Sequence, residues 1–249
     1  KSLVGTTDTD FAEDPATARA TAADVEYLLD EAGRYFPDLS ESDVHYTYAG
    51  VRPLYNSDPD ADASDVSRRH EVIDHGRGLF SLVGAKITPY RSAAADATDD
   101  IADYLGVDAE SDTATVPLPG GYGTLDGSVD ADVDEATVEH VRDLYGSRAE
   151  NVLARIDEEE RLAEPLCDHA DDVLAQVVVA VEEEFARSLA DVMLRRLTVG
   201  HQPCQGRDAV EVVADEMAAR LDWSKTRKEE EIESYERVMD RRTAFSDDA

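Results

Sequence analysis

Lys86 is the residue of this chain best suited to hold an anion. The chain has 24 basic residues against 57 acidic ones, and the other three lysines lie at its start or in the charged C-terminal stretch. Lys86 stands two residues after Gly84, between an apolar run at residues 79–83 and a predicted helix start. Thr88 can cap that helix, and Pro89 fits its first position. Free N–H groups at a helix start attract anions, so this lysine predicts an anion site rather than a solvent-facing cation.

Arg52 is a second candidate for anion binding. Residues 47–54 read Thr-Tyr-Ala-Gly-Val-Arg-Pro-Leu, so Gly50 and Pro53 bracket the arginine in a turn at the end of a predicted strand. A guanidinium presented in this way can bind a carboxylate or phosphate through paired hydrogen bonds. The alternative is a surface salt bridge to one of the many acids, and spacing alone favours that alternative.

Metal-binding patterns are weak in this sequence. Residues 58–62 and 130–134 place Asp at alternate positions, as a calcium loop does, but both lack its glycine at position six and its glutamate at position twelve. We therefore expect no calcium site. The six histidines show neither HExxH nor paired zinc spacing. His169 and His201 stand out only because they lie near the two cysteines, Cys167 and Cys204.

The charge of the chain excludes several classes of function. A net charge of -33 and a pI of about 4.3 leave no basic stripe for nucleic acid and disfavour docking on anionic lipid. The acids are spread along the chain, and arginine far outnumbers lysine, which is typical of a surface adapted to multimolar salt. We expect a halophilic, acidic-surfaced protein that loosens in low salt.

Cysteine usage and the absence of targeting signals predict a cytoplasmic location. Two cysteines in 249 residues do not make a disulfide scaffold and fit a reducing compartment. We find no signal peptide and no apolar run long enough to span a membrane. The first residues, Lys-Ser-Leu-Val-Gly, are typical of the middle of a strand, so we expect the chain to be part of a longer protein.

Hydrophobic periodicity predicts an α+β fold, with a partial mixed α/β segment followed by an all-α C-terminal domain. The sequence predicts a first domain at residues 1–106, a Gly/Pro/Asp-rich linker at 107–134 and a helical domain at 135–249. Predicted strands cover residues 3–7, 44–49, 72–73 and 79–83. Predicted helices cover 21–36, 89–105, 135–145, 148–157, 171–198, 208–221 and 225–242. The helix at 21–36 opens on a near capping box, Thr21 and Asp24. The helix at 171–198 is expected to bury an apolar face that includes Phe185.

Three motifs, in order, resemble the FAD-dependent glycerol-3-phosphate dehydrogenases. They are Val-Gly-Thr-Thr-Asp-Thr-Asp (4–10), Tyr-Ala-Gly-Val-Arg-Pro-Leu (48–54) and Val-Gly-Ala-Lys-Ile-Thr-Pro-Tyr-Arg (83–91). The family's equivalents are Gly-Thr-Thr-Asp, Ser/Tyr-x-Gly-Val-Arg-Pro-Leu and Gly-Gly-Lys-Leu-Thr-Thr-Tyr-Arg. The helical remainder is similar to the family's C-terminal cap, including Asp-Leu-Tyr-Gly (143–146) and Leu-Arg-Arg-Leu-Thr (194–198).

The resemblance implies roles for the candidate residues. Arg52 and Lys86 would be catalytic, reaching the substrate phosphate or hydroxyl near the flavin ring, and Arg68 would lie on the substrate side. The cofactor-binding residues would be Gly84, Lys86, Ile87 and Thr88. Ala85 and Pro89 replace the family's second Gly and second Thr, so the flavin contacts at those two positions differ from the family pattern.

The C-terminal part resembles one branch most closely, the anaerobic-type large subunit, which holds an iron–sulfur cluster with C-x-C and C-Q-G-x-x-C motifs. Here Cys167 and Cys204 remain, His169 stands at the second cysteine position and Ala209 at the fourth. Alanine cannot ligate iron, and we therefore predict no metal at this remnant of a cluster site.

The resemblance implies that the complete enzyme binds FAD and oxidises sn-glycerol 3-phosphate to dihydroxyacetone phosphate. Electrons would pass to a quinone or a partner subunit, and that partner would provide any membrane contact at the inner face. No general base is identifiable in this sequence and no GxGxxG phosphate loop occurs in it, so we expect the chain alone to be inactive and to bind FAD poorly. Two alternatives stay open: another flavin oxidase, acting on an amine or a 2-hydroxy acid, and a stand-alone helical interaction module.

Overall fold

The computed structural model describes residues 2–52, 70–84, 87–109, 111–121 and 133–246. The chain divides into two compact units. Unit 1 comprises residues 1–50 and 119–249, and unit 2 comprises residues 51–118. The described helices are α1 Ala22–Gly33, α2 Tyr90–Leu105, α3 Glu135–Tyr145, α4 Ala149–Glu158, α5 Leu174–Glu182, α6 Leu189–Arg195, α7 Val210–Leu221 and α8 Lys225–Thr243. The described strands are β1 His70–Asp74, β2 Phe80–Gly84, β3 Pro165–Cys167 and β4 Ala170–Val173.

The core of unit 1 is built around α5. Every residue from Leu174 to Val181 is buried, as expected of a helix that is apolar on all sides. Helices α4 and α7 pack against it, and α8 packs on α7. The predicted α+β class with a helical C-terminal domain is confirmed, and the antiparallel pair β3–β4 adds a short hairpin to that domain. A hairpin with strands of three and four residues is stabilised here by packing against α3.

The prediction of one continuous helix over residues 171–198 is wrong. Residues Ala170–Val173 form β4, and α5 ends at Glu182. Phe185 adopts a left-handed conformation with φ 58° and is 76% exposed, so its expected burial is also wrong. Ser188 and Asp191 then form a capping box that starts α6. The chain therefore turns between two helices where the periodicity alone predicted one.

The N-terminal segments of unit 1 follow the predictions in part. The capping box of Thr21 and Asp24 is present, and α1 begins directly after Thr21. Residues 3–7 and 44–49 are not strands, because the described residues provide no strand ladder beside them. Instead, the Thr47 N–H donates to the Arg242 carbonyl at 2.8 Å, and Gln205 Nε2 donates to the His45 carbonyl at 3.2 Å.

Unit 2 consists of the antiparallel hairpin β1–β2 and helix α2, which packs on both strands. The predicted strands at 72–73 and 79–83 are confirmed within β1 and β2, and the predicted helix at 89–105 is confirmed as α2. Thr88 is not its cap, and Pro89 is not at its first helical position. Pro89 is the N-cap residue of α2. The Tyr90 N–H bonds to the Ile87 carbonyl in the preceding turn.

Candidate functional site

The hairpin of unit 2 fixes the position of the strand end that leads toward the predicted anion site. His70 pairs with Gly84 and Asp74 with Phe80, so β2 ends opposite the start of β1. The connecting turn is tight: the His75 N–H donates to the Leu79 carbonyl at 2.9 Å. This turn contains three consecutive residues of positive φ: Gly76, Arg77 and Gly78. The two glycines tolerate that backbone without strain.

Helix α2 is held against the hairpin by specific contacts. The rings of Phe80 and Tyr104 meet edge to face with centroids 5.7 Å apart. His70 Nε2 and Asp96 Oδ2 are 2.6 Å apart. A β-carbon on Gly78 would lie 3.2 Å from the Tyr104 ring, so glycine permits this close approach. Strand β2 and the start of α2 therefore have a defined mutual position within unit 2.

The predicted site residues fall partly within the described chain. Gly84 ends β2 with φ 72°, a conformation that favours glycine. Ile87 is 88% exposed, and Thr88 lies in the turn before α2. Arg52 is exposed and belongs to the same unit. Lys86 and Arg68, together with Ala85, lie outside the described residues, so the pairing of Lys86 with Arg52 stays a prediction.

A second cluster of reactive side chains lies in unit 1. A ring nitrogen of His169, the Cys204 sulfur and a carboxylate oxygen of Asp208 all lie within 4.8 Å of one another. His169 Nε2 and Asp208 Oδ2 are 3.6 Å apart. The Cys167 thiol neighbours the Cys204 thiol, and both cysteines are free and half-buried.

The electrostatics of this cluster centre on Cys167. Burial raises the pKa of its thiol, and the adjacent Cys204 sulfur raises the pKa further. Hydrogen bonds from the backbone N–H groups of His169 and Ala170 act in the opposite direction, because they stabilise the thiolate. Asp208 is the member that the sequence interpretation missed. The available signal was its position directly before Ala209, where the related branch has a cysteine.

His201 is structural, although it lies close to Cys204 in sequence. Its Nε2 is 3.1 Å from the Leu194 carbonyl, and its ring lies 5.3 Å from that of Tyr46. His140 is structural as well. Its Nε2 donates to the buried Asp172 carboxylate at 2.8 Å, and this hydrogen bond raises the pKa of His140.

Comparison with known proteins defines the class of the chain. Residues 1–95 match the family model described as FAD dependent oxidoreductase. Residues 111–228 match the C-terminal domain of alpha-glycerophosphate oxidase. The two matches follow one another along the chain, in the order of the predicted flavin-side segment and the predicted helical domain. The class is therefore an FAD-dependent oxidoreductase with this particular C-terminal domain.

The chain is similar to the C-terminal portion of FAD-dependent glycerol-3-phosphate dehydrogenases. It is 30% identical over 254 residues to glycerol-3-phosphate dehydrogenase from Synechocystis sp., covering 96% of this chain and 46% of that protein. It is 32% identical over 243 residues to glycerol-3-phosphate dehydrogenase 2 from Mycobacterium bovis, covering 94% and 41%. The structure of glycerol-3-phosphate dehydrogenase from Bacillus halodurans, complexed with FAD, matches with a TM-score of 0.74 at 27% identity, covering 95% of this chain and 48% of that one. The chain thus spans less than half the length of these relatives.

The matched relatives also include an enzyme of the aerobic type, whereas the sequence predicted greater similarity to the anaerobic type. A further match is the aerobic glycerol-3-phosphate dehydrogenase of Bacillus subtilis, 27% identical over 262 residues, covering 96% of this chain and 46% of that protein. The greater similarity to the anaerobic-type large subunit stays a prediction. In the described part of the chain, no helix combines the length and apolar character needed to cross a membrane.

Proposed function

We propose that this chain is the C-terminal part of an enzyme that oxidises sn-glycerol 3-phosphate to dihydroxyacetone phosphate. The observation that carries the proposal is the consecutive match of residues 1–95 and 111–228 to the two family models. Several relatives that match across both regions are named glycerol-3-phosphate dehydrogenase. The electron acceptor in this proposal is a quinone or a partner subunit.

Arg52, Lys86 and Arg68 are the proposed substrate-binding residues, and the first two are the proposed catalytic residues. Glycerol 3-phosphate is an anion, and a chain of net charge -33 repels it over its general surface. Local cations must therefore offset that repulsion where the phosphate binds. A guanidinium can bind the phosphate through two parallel hydrogen bonds, and lysine adds a compact charge.

The proposed flavin-side segment is the connection from Gly84 through Lys86, Ile87 and Thr88. Support comes from the glycine backbone of φ 72° at the end of β2 and from the exposure of Ile87 before α2. When bound, FAD supplies a hydride acceptor for the substrate C2 carbon. The residues of this chain would hold the phosphate and orient that carbon, while the general base is expected upstream.

The experiment is anaerobic reduction of the flavin in the complete enzyme. Glycerol 3-phosphate should bleach the flavin absorbance, whereas sarcosine and 2-hydroxyglutarate should not. Bleaching by either of these two instead would favour the amine or 2-hydroxy-acid oxidase. The 249-residue chain alone should be colourless and inactive, so a flavin spectrum from it would contradict that part of the proposal.

Arg52 is tested in the same complete enzyme. Arg52→Ala should lower kcat/KM for glycerol 3-phosphate about 10–150-fold, because a hydrogen bond to a charged group contributes about 1.5–3 kcal/mol. Arg77→Ala, on the β1–β2 turn of the same unit, is the matched control. Equal losses in both variants would mean that general charge, and not a specific contact, supports binding.

The rival proposal is a helical interaction module that binds an electron-transfer partner. The upstream reading frame distinguishes it: a GxGxxG motif after a strand supports the enzyme, and an initiator methionine at this point supports the module. We further propose a halophilic cytoplasm as the setting, with membrane contact only through a partner subunit. The spread of acidic residues and the rarity of lysine support this setting.

A further inference from the structure

Three side chains able to ligate a metal, His169, Cys204 and Asp208, come together from two loops of unit 1, and Cys167 lies beside Cys204. Cys167 ends β3, and His169 lies in the turn that leads to β4. Cys204 and Asp208 lie in the turns that precede α7. Two thiols, an imidazole and a carboxylate are the ligand types that zinc binds in proteins.

The distances match ligands that share one ion. Two ligands of a tetrahedral zinc ion, at bond lengths of about 2.0–2.3 Å, lie about 3.3–3.8 Å from each other. The His169 Nε2 to Asp208 Oδ2 distance is 3.6 Å. The Cys204 sulfur lies within 4.8 Å of a ring nitrogen of His169 and of a carboxylate oxygen of Asp208, and Cys167 neighbours Cys204. A surface ion pair would explain the His169–Asp208 distance alone, but not the two thiols beside it.

The loop that carries Cys204 is held rigidly. Gln205 and Gly206 both have positive φ, and the Arg207 N–H donates to the Cys204 carbonyl at 3.0 Å. The hydroxyl of the buried Tyr235 donates to the Gln205 carbonyl at 2.7 Å. A β-carbon on Gly206 would lie 2.8 Å from that hydroxyl, so only glycine fits there. The sulfur is therefore presented by a fixed backbone.

The same residues do not fit the two-iron cluster of the anaerobic-type branch. That cluster needs a ligand at the position of Ala209, whose side chain is buried and cannot coordinate iron. The neighbouring Asp208 offers a carboxylate instead, and carboxylates suit a single divalent ion better than a sulfide-bridged cluster.

We propose that Cys167, His169, Cys204 and Asp208 bind one divalent metal ion of the zinc type. The ion joins the β3–β4 hairpin to the loop before α7, and its binding releases the two thiol protons to solvent. This proposal revises the sequence-based expectation of no metal, which counted three ligands and missed Asp208. It is independent of the proposed enzymatic function.

The test is Co²⁺ titration of the metal-stripped 249-residue chain, under reducing conditions and in molar KCl. We expect saturation at about one Co²⁺ per chain, with thiolate-to-cobalt charge-transfer absorption and the visible bands of a tetrahedral ion. Ions held by the acidic surface give no thiolate charge transfer, so the absorption reports this site alone. Zn²⁺ should displace Co²⁺ and remove the absorption.

Substitution of each proposed ligand tests whether that residue binds the metal ion. Cys167→Ser and Cys204→Ser should each weaken the charge-transfer absorption. His169→Gln and the exposed Asp208→Asn should weaken Co²⁺ binding by at least about 10–100-fold, the loss typical of disturbing a ligand's support. His75→Gln and Asp171→Asn, an exposed histidine and acid outside the cluster, are the matched controls and should bind Co²⁺ normally.

Three results would overturn the proposal. Co²⁺ binding without thiolate charge transfer would show surface binding only. Stoichiometric iron and sulfide in protein purified without oxygen would show a cluster. A mass lower by two hydrogens in protein purified under reducing conditions would show that Cys167 and Cys204 form a disulfide. Helical circular dichroism of each variant shows whether it is folded.

Discussion

Asp172 is the residue on which the most hydrogen bonds of the unit 1 core converge. Its side chain is fully buried, and it accepts from His140 Nε2 at 2.8 Å and from Gln176 Nε2 at 3.4 Å. It also accepts from the Thr198 backbone N–H at 3.0 Å and the Thr198 hydroxyl at 2.9 Å. A buried carboxylate is tolerated only when it is paired in this way. The residue thereby ties α3, β4 and the segment after α6 together.

Asp172→Ala should destabilise unit 1 by about 3–5 kcal/mol, because it leaves several buried donors without an acceptor. The measurement is urea unfolding followed by the fluorescence of Trp223, the single tryptophan of the chain. Asp171→Ala, at the exposed neighbouring position, is the control and should change the free energy of unfolding by less than about 0.5 kcal/mol. Similar losses in both variants would contradict the role of the network.

His140 should make the stability of unit 1 depend on pH. Its hydrogen bond to Asp172 raises its pKa in the folded state above the ordinary value of about 6.5. A raised pKa means that the stabilisation is complete below pH of about 6.5 and is lost as pH rises through the folded-state pKa. In molar KCl, the free energy of unfolding should therefore fall as the pH rises above neutral. His140→Gln should flatten that curve, whereas His75→Gln should leave it unchanged.

At the scale of elements, the connection between α5 and α6 shows how this chain ends one helix and starts another. The Ala186 N–H donates to the Ala180 carbonyl at 2.9 Å beside the left-handed Phe185. Arg187 Nη1 donates to the Val181 carbonyl at 3.2 Å, so the last carbonyls of α5 are paired. At the start of α6, the Asp191 N–H donates to the Ser188 hydroxyl and the Ser188 N–H donates to the Asp191 carboxylate.

Ser188→Ala should destabilise unit 1 by about 0.5–2 kcal/mol, the loss typical of an N-cap side chain. The matched control is Ser234→Ala at an exposed position inside α8, which should be neutral or slightly stabilising because alanine is the better helix former. Both are measured by urea unfolding. An unchanged midpoint for Ser188→Ala would show that the cap contributes nothing here.

The elements were predictable where local periodicity decides them. The predictions for α1, α2, α3, α4, α7 and α8 rest on apolar spacing and capping residues, and these helices form. The break at residues 183–188 was missed because apolar residues continue at helical spacing across it, although its Ser188–Asp191 box has the same signature that identified Thr21–Asp24. Residues 44–49 have strand-like composition, but their partners are a helix-end carbonyl and a side chain from distant sequence.

The two candidate sites also differ in how far local sequence could predict them. Motif order located Gly84 at the end of a strand and Ile87 and Thr88 in the turn before a helix, because such motifs are local. The contact of Cys167 with Cys204 joins loops that only the tertiary fold brings together. Asp208 was therefore overlooked as a ligand, although its position directly before Ala209 offered a local signal.

At the scale of the whole molecule, arginine side chains are shared among several acids. Arg220 contacts Glu182 at 2.6 Å and Glu216 at 2.9 Å, and Arg161 contacts Glu216 at 2.7 Å. Burial alone would raise the pKa of Glu216, but these two arginines hold it below its usual value. The 57 acids outnumber the 24 basic residues, and dissolved cations must screen the excess negative charge.

Salt should therefore stabilise the protein. Between dilute buffer and molar KCl, the thermal midpoint of unit 1 should rise by more than about 4 °C, which corresponds to about 1–2 kcal/mol of relieved repulsion. A double variant, Glu230→Gln with Glu236→Gln, removes two exposed acids from α8 and should reduce the rise. A midpoint that stays constant or falls with KCl would contradict adaptation to high salt.

The contact between residues 45–47 and α8 has a consequence for synthesis. The Thr47 hydroxyl donates to the Arg242 carbonyl at 3.0 Å across 195 residues of sequence, and the Arg242 guanidinium lies 4.2 Å over the Tyr46 ring. At about 5–20 residues per second, a ribosome needs roughly 10–40 s to make the intervening chain. During that interval the Tyr46 ring has no guanidinium to cover it. A nascent chain of this protein thus exposes an aromatic segment to chaperones until Arg242 has been synthesised.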